Sequence, residues 1–179
     1  VRDDARTSDY LFQSSVTTYQ AYNNWGGKSL YDENSSAGQR AARVSFNRPY
    51  ALGTDPAGLG AGELLAPLWL DRAQSGPAWE YPLLRFLERE GYDVTYATSL
   101  DTHQNPRLLE AHRAFLSTGR DIYWTWNMRS YVEQARDRFG THLGFFSAHA
   151  CSWQARLEPD ARGNPLRTLL AYKDASDPL

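Results

Sequence analysis

The sequence holds one cysteine, one methionine, one isoleucine and two lysines among 179 residues. The lone Cys151 excludes an intramolecular disulfide and any zinc or iron–sulfur centre built on several thiolates. No apolar run approaches the ~20 residues that a membrane-spanning helix needs. A basic excess is also missing: Lys and Arg total 19 against 21 Asp and Glu, a formal net charge of −2. Phosphate backbones are bound by clustered cations, so neither nucleic acid nor a membrane is an expected partner. The chain opens Val1-Arg2-Asp3-Asp4, with no initiator Met and no signal-peptide pattern, as a piece cut from a longer polypeptide would.

What is present points to one α/β domain over residues 1–179. Tyr10 to Ser15 reads as a short buried strand, and Ala42 to Phe46 alternates with period two as a half-buried strand. Residues 51–78 carry eight Gly and Pro residues and read as a long loop or insertion. Beyond them helix and strand alternate. Trp79 to Glu90 predicts a helix with Pro82 in its first turn, and Asp93 to Thr98 a strand. A short helix follows at Pro106 to Ala111, then a strand at Ala114 to Thr118. Thr125 caps a helix reaching Phe139, and Leu143 to Phe146 reads as a central strand. Gln154 to Leu157 and Leu166 to Tyr172 predict a hairpin turning at Arg162-Gly163-Asn164-Pro165. The expectation is a three-layer α/β fold: a mainly parallel sheet with helices on both faces.

Ligands of such sheets bind beyond the carboxyl ends of the strands. Five segments fall there: Tyr19 to Gly27, Asn47 to Tyr50, Glu80-Tyr81, Gly119 to Trp124, and Ala148 to Trp153. They also hold most of the polar aromatics, residues that suit ligand pockets as well as cores. Tyr22 and Asn23 either project into a pocket or belong to a turn packed on the sheet. Arg120, after a strand, suits an anion, or else pairs with Asp121. His149 and Cys151 form a conceivable nucleophilic pair, but the expected role of Cys151 is that of a small buried residue. His103, His112 and His142 show no zinc spacing, and Glu110-x-His112 reads as a solvated face.

Taken together, these segments resemble the large-subunit domain of the N,N-dimethylformamidase family. The likeness rests on Leu11-Phe12-Gln13, Tyr19-Gln20-Ala21-Tyr22-Asn23, Trp25-Gly26-Gly27, Ser29-Leu30-Tyr31 and Phe46-Asn47-Arg48-Pro49. It continues through Glu80-Tyr81-Pro82-Leu83-Leu84-Arg85 and Gly91-Tyr92-Asp93-Val94 to Trp153-Gln154-x-Arg156-Leu157-Glu158 and Tyr172-Lys173. The resemblance implies a class I glutamine-amidotransferase-like, flavodoxin-like architecture and a cytoplasmic amide hydrolase. It further implies a mononuclear iron, held by two tyrosines and a glutamate, that activates water. Tyr22, Tyr81 and Tyr50 are the candidates for the two phenolates. Asn23, Trp25, Tyr123 and Trp124 are placed against substrate, and Arg120, Asp121 and His149 carry the catalytic assignments. A small subunit or further copies of the chain are the implied partners.

One motif departs from the family. Where Gly-His-Asp-Glu-Tyr-Trp-Ser is usual, this chain reads Gly119-Arg120-Asp121-Ile122-Tyr123-Trp124-Thr125. Isoleucine cannot ligate a metal, and a guanidinium stays protonated and cannot serve as a base. Two readings follow. One is a hydrolase of small amides, with activity in question. The other is a non-catalytic pseudoenzyme that binds a small anion or serves in assembly.

Overall fold

A computed structural model describes residues 6–51 and 80–173. The Gly/Pro-rich segment expected at 51–78 therefore falls, apart from Ala51, outside the described residues, as does Trp79. Among the described residues the strands form two four-stranded sheets where the sequence reading expected one. The first sheet contains β1 (Tyr10–Ser14), β3 (Val94–Thr98), β4 (Ala114–Gly119) and β6 (His142–Ser147), all parallel, in the order β3-β1-β4-β6. The second contains β2 (Arg43–Ser45), β5 (Tyr123–Thr125), β7 (Trp153–Glu158) and β8 (Thr168–Ala171), in the order β2-β8-β7-β5. Within it β8 runs antiparallel to both neighbours, while β5 and β7 are parallel. The predicted hairpin is thus the β7–β8 pair.

Alternation along the strands of the first sheet explains its layers. Phe12, Val94 and Leu116 face helix α2 (Glu80–Arg89), which contributes Leu83, Leu84 and Leu87. Leu11, Ala97 and Phe115 face the other way, onto Leu108, Leu109, Met128 and Val132. These belong to α4 (Pro106–Glu110) and α5 (Trp126–Gln134), which is followed by a π-turn at Ala135–Phe139. A parallel sheet buried on both faces needs this kind of near-continuous apolar strand. Burying each large aliphatic or aromatic side chain here contributes ~1.5–3 kcal/mol.

Caps fix the short helices. Thr125 Oγ1 accepts from Met128 N at 3.2 Å to start α5, as its sequence position predicts. Helix α3 (Ser99–Gln104), absent from the sequence reading, is set by a reciprocal box between Thr98 and Asp101. Helix α1 (Val16–Tyr22) is likewise absent from the sequence reading, which places Tyr19 to Gly27 beyond a strand end. It is β-branched at its start and has no side-chain cap, so tertiary bonds hold it. Thr17 Oγ1 donates to Tyr123 O at 2.9 Å, and Ile122 N donates to Thr18 Oγ1 at 3.0 Å.

Two placements differ from expectation. Strand β6, read as central, is the edge of its sheet, and Phe146 on it is 63% exposed. His112, read as solvated, is buried with Nδ1 against Leu108 O. Among the described residues no helix is long and apolar enough to cross a membrane.

Candidate functional site

Strand order reverses between β1 and β4: the chain leaves β1 for β3 on one side and returns to β4 on the other. Crevices open at such switch points, outside the carboxyl ends of the strands. Here those ends are Ser14-Ser15 and Gly119-Arg120. Gly119 takes φ 74°, a left-handed conformation that glycine adopts without Cβ strain, and so turns the chain sharply out of β4. The next three residues then diverge. Asp121 drops under the turn towards the first sheet, whereas Arg120 and Ile122 reach towards the second.

Beneath the turn lies a buried acidic side. Asp121 is 0% exposed, and its Oδ2 accepts from Gln13 Nε2 at 2.7 Å and Ser117 Oγ at 2.8 Å. Gln13 in turn accepts from Thr102 Oγ1. Asp121 Oδ1 and Ser15 Oγ lack a hydrogen-bond partner of ordinary geometry. Burial pushes the Asp121 carboxyl above its usual range, and the surrounding donors oppose that shift. Glu80, 2% exposed at the start of α2, accepts from Ser15 N at 3.0 Å and Ser14 Oγ at 2.9 Å. It too is pushed upward, by burial first, with the Asp121 charge adding to the effect. Burial and Glu80 together raise the neighbouring Tyr19 phenol.

Above the turn, phenols gather with cations. Arg120 Nη1 donates to Tyr22 Oη at 2.9 Å. The Tyr22 ring stacks on Tyr31, centroids 4.2 Å apart, and Tyr31 meets Tyr123 edge-on at 6.2 Å. Lys173 Nζ lies 3.6 Å from the Tyr31 centroid. Ile122 (4% exposed) and Tyr123 (0%) pack with Tyr22 and Leu30 in the apolar cluster under the second sheet. Burial raises the phenol pKa values of Tyr31 and Tyr123, keeping both protonated at neutral pH. Arg48 braces this side. Its guanidinium donates to Lys28 O at 2.7 Å, Gln20 O at 3.0 Å, Trp25 O at 3.2 Å and to Asn23 O, holding the end of α1 where Tyr22 sits.

The residues singled out in the sequence fall in different places. Tyr22, Arg120 and Tyr123 come together. Tyr50 lies apart from them, among Gln20, Arg48 and Tyr19, and Tyr81 lines a groove of about 610 Å³ with Leu84, Arg85 and Tyr96. Asn23 is buried with its amide occupied: Nδ2 donates to Pro49 O, and Oδ1 accepts from Trp25 N and Ala51 N. Trp124 belongs to the core between the first sheet and α5, and Trp25 is exposed. Asp121 pairs with Gln13 and Ser117, not with Arg120. His149 stands exposed at φ 57° on the loop between β6 and β7. Cys151, expected to be buried, is an exposed residue on that loop. Desolvation, followed by the Asp121 charge, pushes its thiol up to about 12, so it is not an activated nucleophile. Tyr31 and Lys173 enter the sequence reading only within the family resemblance, and nothing in the spacing of Tyr31, Tyr123 and Lys173 marks them as neighbours.

The donors around Tyr22 are a poor match for the iron that the resemblance implies. A guanidinium already bonds the phenol oxygen and would repel a metal cation, and the neighbouring Ile122 offers no lone pair. Among the described residues no group of three or more His, Cys, Asp or Glu is arranged to hold a metal. No curated protein matches the sequence. The family model described as "N,N-dimethylformamidase beta subunit-like, C-terminal" matches residues 1–179. Its description names a beta subunit where the sequence reading spoke of a large one. This chain belongs to the N,N-dimethylformamidase beta subunit-like, C-terminal family.

Proposed function

We propose that this domain, of amide-hydrolase lineage, binds a small carboxylate or the polarised oxygen of a small amide through Arg120, without activating water on a metal. The hydrogen bond from Arg120 Nη1 to Tyr22 Oη carries the reading, because it sets a permanent positive charge against a phenol at the strand switch point. A guanidinium recognises a planar carboxylate through paired N–H donors. Among the described residues neither candidate base is placed beside Arg120: Asp121 is sealed beneath the turn, and His149 stands on an exposed loop. The parallel order β3-β1-β4-β6 corresponds to the first four places of the doubly wound 2-1-3-4-5 arrangement, which supports the amidotransferase-like reading of the fold. The word "subunit" in the family description and the exposed Phe146 on β6, an edge strand among the described residues, support a place in an assembly.

Calorimetric titration with formate and acetate tests the reading. The native chain is expected to bind one of them saturably, and Arg120→Leu to lose that binding. Iron content decides between this reading and the metal-dependent alternative. Stoichiometric iron with a visible tyrosinate-to-iron band in the native protein would sink the proposal. The same signals appearing only in the double variant Arg120→His with Ile122→Glu would support it.

A further inference from the structure

We infer that the rings of Tyr31, Tyr123 and Trp153 form a site for an organic ammonium, which Lys173 fills from within the chain. Lys173 Nζ lies 3.6 Å from the Tyr31 centroid, 5.2 Å from that of Tyr123 and 5.5 Å from that of Trp153. All three distances are within the ~6 Å over which a ring face attracts a cation. The ammonium also donates to Leu30 O at 2.6 Å. The three rings and the Leu30 carbonyl, its partners among the described residues, offer negative potential without formal charge, which suits an alkylammonium that keeps at least one N–H.

The rings come from separate parts of the fold. Tyr31 follows α1, Tyr123 opens β5 and Trp153 opens β7, directly paired with Tyr123 in the second sheet. Tyr22 covers one face of Tyr31 at 4.2 Å, so the ammonium takes the other. Tyr123 makes a fully buried back wall, Tyr31 a half-buried side, and Trp153, 36% exposed, an open lip. Lys173 enters from the two-residue step beyond β8. An occupant tethered so closely acts at an effective concentration of order mM, and therefore masks the site from a free amine. The inference is independent of the carboxylate reading, since it concerns a ligand of opposite charge on other residues.

Ligand-observed NMR titration of the full chain with n-butylammonium provides the test. Lys173→Ala is expected to bind it at least about tenfold more tightly than the native chain. Adding Trp153→Leu should abolish the gain, and the neutral 1-pentanol should not compete. Equal affinity in native and Lys173→Ala chains would overturn the inference, as would retention of binding without Trp153 or equal occupancy by the alcohol. If Lys173→Ala fails to fold unaided, refolding with n-butylammonium takes over as the readout. Recovery of folded protein with the amine but not with the alcohol supports the site, and no recovery refutes it.

Discussion

The two sides of the Gly119–Ile122 turn solve the same problem with opposite charge. Below it, Asp121 and Glu80 are buried carboxyls surrounded by neutral donors from Gln13, Ser117, Ser14 and the Ser15 backbone. Above it, Arg120 and Lys173 are cations placed against phenol oxygens and ring faces. Asp121 and Arg120, adjacent in sequence and opposite in sign, are directed to different sheets. A carboxylate sealed from water needs directed hydrogen bonds, whereas a cation at a half-open rim can rest on a ring's quadrupole. The lower side therefore holds the fold, and the upper side is where both proposed ligands would bind.

Substitutions can break that comparison, beginning with the most costly. Asp121→Ala would leave Gln13 Nε2 and Ser117 Oγ facing an empty buried space, with an expected loss of ~3 kcal/mol in denaturant unfolding. A loss below ~1 kcal/mol would show that the acidic side is dispensable. A smaller effect comes from pH. Asp121 and Glu80 have folded pKa values raised above the ordinary carboxylate range, so the folded state holds their protons more tightly than the unfolded chain does. Their contribution is complete below that ordinary range and is lost as pH rises through the raised folded values. Unfolding measured from pH 4 to 8 should show this decline, and Asp121→Asn should flatten it. A native slope unchanged in the variant would remove Asp121 as its source. The smallest stability change belongs to Arg120→Leu, below ~1 kcal/mol for a half-buried side chain. A much larger cost would make Arg120 a structural residue and join the two sides into one.

Much of the frame was legible from local pattern. The apolar runs of β1 and β4, the Thr125 cap and the Gly163 turn between β7 and β8 are all local signals, and each element formed where its residues placed it. Helix α1 was not legible, because Val16, Thr17 and Thr18 are weak helix formers and its hydrogen bonds reach across 104 to 106 residues to Ile122 and Tyr123. The division into two sheets was hidden for a related reason: β5 is three residues long and forms by pairing with β7. At the site, the sequence marked Tyr22, Arg120 and Ile122 but gave no sign that Tyr50 and Tyr81 would lie elsewhere or that Lys173 would close on Tyr31.

By its composition and motifs alone the chain determined its family and its α/β class. Only the tertiary structure decided which way each side chain of the turn faces, and hence that Asp121 is sealed away while Arg120 meets Tyr22. Periodicity reports burial along one element, but a contact between residues 98 positions apart depends on how whole elements pack.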